Sequence, residues 1–262
     1  MPPQYVKPYV KRGKSDSLDA EAICEAMSRP SMSFVPVKSR DQQAAAMLLT
    51  VREGLVKQRT VLINTIRGHA AEFGVTAAKG ACQVKELLTR AQAELPELAM
   101  GLLSILADLL QAVEDKFKTV DAQLMAFHRA NALSGKLAGI PGVGPIGAMA
   151  LVLRVPDPAA FTSARGFAAW AGLTPKLNGT AGKQRPGRVS KAGDEMLRRL
   201  LVLGAMAVIR RAKEGKGSAW LLGLLARKPV KLVAMALANK TARIAFAMMR
   251  SGAAYRGARA AA

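Results

Sequence analysis

The sequence has 262 residues, with 39 Lys or Arg against 18 Asp or Glu, a formal charge of +21, half the residues apolar and 5% aromatic. That length holds one large or two modest domains with a substantial core, and the apolar fraction excludes a disordered tail. Two cysteines, Cys24 and Cys82, exclude a disulfide scaffold, match no metal-ligand spacing and suit a reducing cytoplasm.

Residues 1–14 carry three prolines, two tyrosines and four basic residues and read as an extended entry segment. No apolar signal region lies in Met1 to Gln4. Ser15 is placed to cap a helix from Asp16 to about Arg29, with Asp16, Asp19 and Glu21 favourable in its first turns. Phe34-Val35-Pro36-Val37 reads as a short extended piece, followed by the capping box of Ser39 and Gln42. The next helix carries Leu48, Val51, Leu55, Leu62, Ile66 and Phe73 and stops at Gly74.

Beyond breaks at Lys79-Gly80 and Pro96, the residues Leu106, Leu110, Val113, Phe117, Val120, Leu124 and Phe127 alternate spacings of four and three. That is a coiled-coil seam. Two long helices joined through a short helical turn predict an antiparallel arm that ends at Gly135. Helices follow near 145–155, 163–171, 192–213, 218–227 and 230–251, with a long loop at 174–190 and a fraying tail. The longest apolar stretches, such as Leu200 to Ile209, fall short of the roughly 18 residues a membrane span needs. The expectation is a cytoplasmic protein with no membrane partner.

Charge is uneven. Residues 174–262 hold 19 cations and 3 acids, a net of +16; residues 1–173 hold 20 and 15, a net of +5. Such an excess favours a polyanion partner, with nucleic acid ahead of an anionic membrane or a merely basic surface.

Ile140-Pro141-Gly142-Val143-Gly144-Pro145-Ile146-Gly147 reads as the hairpin of a helix-hairpin-helix element. Its bare amides and the following helix N-terminus suit a backbone phosphate; the same residues would also serve as a tight turn between packed helices. The loop from Thr174 to Asp194 gathers Lys176, Lys183, Arg185, Arg188 and Lys191 among small residues, which suits phosphates or a disordered basic loop. Its Gly179, Gly182 and Gly187 fit no nucleotide-cofactor fingerprint. Asp16 and Asp19 share one helix face and could share a Mg²⁺, or serve only as first-turn acids. His69 and His128 read as surface histidines.

Taken in order, these motifs form a set: Lys11-Arg12-Gly13-Lys14-Ser15-Asp16-x-x-Asp19-Ala20, Phe34 to Lys38, Leu62-Ile63-Asn64-x-x-Arg67-Gly68 and Ile140 to Gly147. They continue with Phe167 to Pro175, Gly187-Arg188-Val189-Ser190-Lys191-x-Gly193-Asp194 and Leu197-Arg198-Arg199. The set resembles the DEDD transposases of bacterial insertion sequences, from the family numbered one hundred and ten and its close subgroup, between Tyr5 and about Met249. The resemblance implies a mainly α chain divided into four parts. Residues 1–38 would be a remnant of an α/β RNase-H-like (RuvC-like) nuclease domain and 39–134 a coiled-coil arm. Residues 135–252 would be a helical transposase domain with a helix-hairpin-helix element, and 253–262 a flexible tail. It further implies double-stranded DNA and a structured bridge RNA as partners, a homo-oligomer through the arm, and Mg²⁺ held by four acids.

Asp16 and Asp19 match the third and fourth of those acids, and the first two would precede Met1, so an N-terminally truncated form is expected. Where the family shows a nucleophilic serine, this loop has Gly179, leaving Thr180 as the adjacent hydroxyl. The expected phosphate contacts are Pro141, Gly142, Val143, Gly144, Lys176, Lys183, Arg185, Arg188, Lys191, Arg198 and Arg199. The expected activity is DNA strand cleavage and rejoining in transposition, impaired by the absent acids and serine. The alternative is a non-catalytic DNA- or RNA-binding remnant that associates with intact transposase.

Overall fold

The computed structural model describes residues 1–256 except Pro2, Lys14, Ser31, Ser33, Val35, Pro36, Pro156, Ala181 and Gly182, and except the side chains of Gln4, Leu177, Thr180, Lys183, Gln184, Pro186 and Lys216. The chain is mainly helical and divides into two compact units, Met1–Ser39 and Arg40–Ala262.

In the first unit, α1 (Pro3–Val6) runs into a 3-10 turn (Lys7–Tyr9), and α2 spans Asp16–Met27. The expectation of an extended entry segment is therefore corrected. A proline φ near −65° suits a first helical turn as well as extended chain, and Pro3 and Pro8 both sit in first turns. Ser15 caps α2 as expected, its hydroxyl accepting from Leu18 N. The middle of the expected extended piece, Val35-Pro36, lies outside the described residues; its flanks Phe34 and Val37 are exposed.

The second unit begins with α3 (Arg40–Glu72), α4 (Gln83–Glu94) and α5 (Glu97–Ala130). Gly74 ends α3 in the left-handed region (φ +82°). Val75 N donates to Ala70 O and Gly74 N to Ala71 O, the paired bonds of a Schellman end, and both Val75 and Ala70 are fully buried. The expected short turn between the long helices is a whole helix, α4. Helices α3 and α5 pack together, and two ion pairs fix their direction. Arg52 Nε lies 2.7 Å from Asp121 and Arg59 Nε 3.1 Å from Glu114. A step of seven residues forward on α3 is a step of seven backward on α5, the relation of an antiparallel pair displaced by one heptad.

Two separate cores share this arm. Ile66, Ala70, Val75, Val84, Leu87, Ala91, Leu103 and Leu110 close the tip around α4. Ala45, Leu49 and Leu124, at the other end, belong to the core of the remaining helices. Between them, α3 has no fully buried residue from Leu49 to Ile66.

The body comprises α6 (Ala132–Ala138), α7 (Pro145–Arg154), α8 (Ala164–Trp170), a ribbon of β1 (Pro175–Thr180) and β2 (Lys183–Val189), then α9 (Glu195–Arg211), α10 (Ala219–Leu225) and α11 (Val230–Ser251). Gly135 lies inside α6 rather than ending the arm. Asn131 makes the break, with extended backbone and a side chain accepting from Ser134 N at 2.8 Å. The expected loop at 174–190 is instead an antiparallel hairpin. Its prolines are compatible with strands because a two-stranded ribbon consists of edges, and the register shifts between Pro175 and Leu177. Helix α11 packs on α9 and α8 through Ala234, Ala238, Ala242 and Ala245, whose small side chains allow close approach, while Phe161, Phe167, Trp170 and Phe246 form the aromatic centre.

One further expectation changes. Val230–Ser251 is long and apolar enough to cross a membrane by length and composition alone, contrary to the expectation that every apolar stretch is too short. Nearly half of its apolar window is buried in the core just described (44%), which accounts for that composition.

Candidate nucleic-acid interface

The turn between α6 and α7 is built on a backbone contact. Gly142 has φ +86°, and a Cβ there would lie 2.7 Å from Gly204 O on α9; a Cβ on Gly204 would lie 1.8 Å from Gly142 O. The two glycines therefore press turn and helix together, and Val143 seals the contact from the core side, its N–H donating to Ile140 O. Pro141 and Gly144 stay exposed, and Gly144 precedes α7 with nothing within 4 Å of where a Cβ would stand. Packing thus accounts for Gly142, whereas Gly144 leaves the start of α7 open to solvent.

The ribbon is anchored by a second close approach. Gly172 (φ +69°) and Gly193 (φ +66°) bring the end of α8 against the turn before α9, where a Cβ on Gly193 would meet Trp170 O at 1.8 Å. Ser190 N donates to Thr174 O at 2.9 Å across the base of the ribbon. Arg198 locks the same turn, its Nη1 lying 2.6 Å from Ala192 O and 3.4 Å from Ala171 O. Asp194 caps α9 through Leu197 N and pairs with Arg154 at 3.4 Å. Arg199 pairs with Glu53 of α3 at 2.9 Å. Burial pushes the Glu53 carboxyl up, but Arg199 and Lys57 outweigh it and hold it below its ordinary range. Arg198 and Arg199, two of the four arginines expected to meet phosphate, are thus engaged within the fold.

The ribbon itself is otherwise. Lys176, Arg185, Arg188 and Lys191 are exposed, and none of them enters an ion pair among the described residues. Asn178 pairs with Arg185 and Thr180 with Lys183 across the strands, so these four positions share one face. Gly187 leaves room for Asn178, whose Nδ2 would stand 3.0 Å from a Cβ there. Thr180 ends β1 beside the expected serine position, Gly179; the side chains of Thr180 and Lys183 lie outside the described part.

Asp16 and Asp19 occupy the first turn of α2, both exposed. Among the described residues no group of three or more His, Cys, Asp or Glu comes together. Two exposed carboxylates fall short of the six oxygens Mg²⁺ demands, so these residues alone do not build its site. His69 is exposed, 3.6 Å from Glu72, as expected of a surface histidine. His128 is not one: it is half-buried, with Nδ1 2.6 Å from the Oγ of buried Ser134.

One cluster lay outside the expected set. Lys240 Nζ sits 4.1 Å from the ring centroid of Trp220. Only its cations were signalled in the sequence, where Lys240, Arg243 and Arg250 recur at three and seven along a helix without acids; Trp220 lies on another helix.

Comparison with known proteins gives two family matches. The family described as "Transposase IS116/IS110/IS902 family" matches residues 134–219, and a DEDD transposase family of the IS110 type matches residues 2–74. The putative transposase y4pF/y4sB of Sinorhizobium fredii is 56% identical over 261 residues, covering 98% of this chain and 67% of that protein. A probable family 20 transposase of Pseudomonas aeruginosa is 46% identical, covering 97% and 77%. The transposase for insertion sequence element IS1328 of Yersinia enterocolitica is 38% identical, covering 95% and 76%.

Proposed function

The chain belongs to the IS116/IS110/IS902 transposase family, and on that premise we propose that its helical body holds double-stranded DNA during transposition of an insertion sequence. The observation that carries this reading is the ribbon: four exposed cations, Lys176, Arg185, Arg188 and Lys191, without an ion-pair partner among the described residues. Gly144 and the start of α7 add amide donors suited to a phosphate, in the manner of a helix-hairpin-helix. Under this reading residues 39–134 are the arm, 135–252 the transposase domain, and 1–38 part of an RNase-H-like nuclease fold. A structured RNA that guides the DNA is a second ligand of the same basic surface. Duplex binding followed by fluorescence anisotropy should weaken steeply with salt, and Arg185→Ala with Arg188→Ala should flatten the log–log slope by about two units. Salt-insensitive binding overturns the reading.

In that assembly Asp16 and Asp19 are this chain's acids toward a divalent cation, whose chemistry would be to polarise the scissile phosphate. Because the described residues gather no third acid and Gly179 supplies no hydroxyl, the isolated 262-residue chain is a binder that does not cut. Incubation with supercoiled DNA and Mg²⁺ should leave it unnicked and free of a covalent protein adduct. A phosphothreonine link at Thr180 would reverse this assignment.

A second feature supports association with another copy or an intact relative. On α5, Leu98, Leu102, Ile105 and Leu109 repeat at four, three, four and are 78%, 57%, 58% and 51% exposed. Leu98, Leu102 and Ile105 line an apolar cavity of about 540 Å³ together with Thr65, His69, Phe73 and Leu95. Such a stripe is the outer half of a coiled-coil seam. Sedimentation should show a dimer or higher oligomer that Leu102→Glu with Ile105→Glu reduces to monomer. An unchanged mass excludes this face.

A further inference from the structure

Trp220 differs from the chain's other tryptophan. Trp170 packs 5.2 Å from Phe161 and 5.7 Å from Phe167, in the aromatic centre of the body. Trp220, on α10, joins no aromatic pair among the described residues and is 43% exposed, with Lys240 of α11 standing over its ring. Helix α11 continues this surface. Lys240, Arg243 and Arg250 are all exposed, and at three and seven residues apart they fall within one quadrant of the helix. They span about 15 Å along its axis. No acidic residue follows Glu214 in the sequence, so nothing nearby in the chain offsets their charge.

We propose that Trp220 and this outer face of α11 form a track for single-stranded nucleic acid. One unpaired base stacks on the open part of the indole, and Lys240, Arg243 and Arg250 hold the phosphates on either side. The chemistry is an aromatic platform beside a line of cations, which takes a strand without reading its sequence. An intact duplex hides its base faces in the stack and cannot use the indole, so this site is separate from the ribbon and specific for unpaired segments. It deepens the nucleic-acid reading above and rests on it.

The test is titration of the full chain with a dodecamer of dT, a dodecamer of U and a duplex of the same length, following tryptophan fluorescence and anisotropy. Both single strands should quench the fluorescence. Trp220→Ala should weaken their binding roughly 5- to 100-fold, while Trp220→Phe retains most of it. The ratio between dT and U identifies whether DNA or RNA is the natural strand. Should Trp220→Ala fail to fold by circular dichroism, Lys240→Ala and Arg243→Ala serve instead, each flattening the single-strand salt slope by about 0.7. Single-strand affinity unchanged in Trp220→Ala, or no quenching on binding, overturns the proposal. If the duplex binds and the single strand does not, this site alone falls; if neither binds, the nucleic-acid reading falls with it.

Discussion

The tip of the arm and the helical body solve the same packing problem by opposite means. The tip closes eight buried side chains around one short helix, with glycines at Gly68 and Gly101 where an added Cβ would meet nothing within 4 Å. The body brings backbone onto backbone: Gly142 on Gly204, and Gly193 on Trp170. Interdigitated side chains yield a little when one is changed, because rotamers and neighbours adjust. A carbonyl facing a Cα has nowhere to move. The body is therefore the rigid part, and it is the part that carries the ribbon.

Single methyl groups should expose that contrast. Gly204→Ala places a Cβ 1.8 Å from Gly142 O, which requires α9 and the α6–α7 turn to separate. A loss of about 3 kcal/mol or more is expected, read as a large fall in thermal midpoint or failure to fold. Gly101→Ala, in the second turn of α5 where an added Cβ meets nothing within 4 Å, should instead stabilise by about 0.5–1 kcal/mol through helix propensity. If both substitutions behave alike, the contrast between the regions is wrong.

Smaller effects sharpen it. Between the two cores the arm relies on Arg52–Asp121 and Arg59–Glu114, whose side chains are a quarter to a third exposed. A double-mutant cycle on Arg52 and Asp121 in chemical denaturation should return about 0.2–1 kcal/mol. Glu53, where α3 meets α9, gives the least effect and a definite sign. Its carboxyl is held below the ordinary value of 4.5, so the stability it contributes is present above that pH and lost as pH falls through its folded value. The thermal midpoint should exceed that of Glu53→Gln at pH 6, and the two should converge below pH 4.5.

How far these features were legible depended on what determined each one. The seam from Leu106 to Phe127, the cap at Ser15 and the stop at Gly74 are local or periodic, and sequence spacing contains them. The ribbon was missed because Gly and Pro signal a break in either a loop or an edge strand, and only pairing decides between them. The entry segment failed for the same reason, since proline suits both outcomes. Gly142 was recognised as needing a special backbone, but its partner Gly204 is 62 residues away and carries no local mark. Arg198 and Arg199 looked like free cations because Ala171 O and Glu53 are brought to them only by tertiary packing. At the site, the exposed cations of the ribbon were legible by composition, and the Trp220–Lys240 contact was not, because it joins two helices.

The distance between the two cores has a consequence of its own. From Leu49 to Ile66 the arm runs 17 residues, about 25 Å at helical rise. A base pair adds about 3.4 Å to a duplex, so the shaft measures roughly seven base pairs. Were a second subunit to seat on the tip as proposed above, the shaft would hold it at a stand-off of some two-thirds of a turn of DNA from the body.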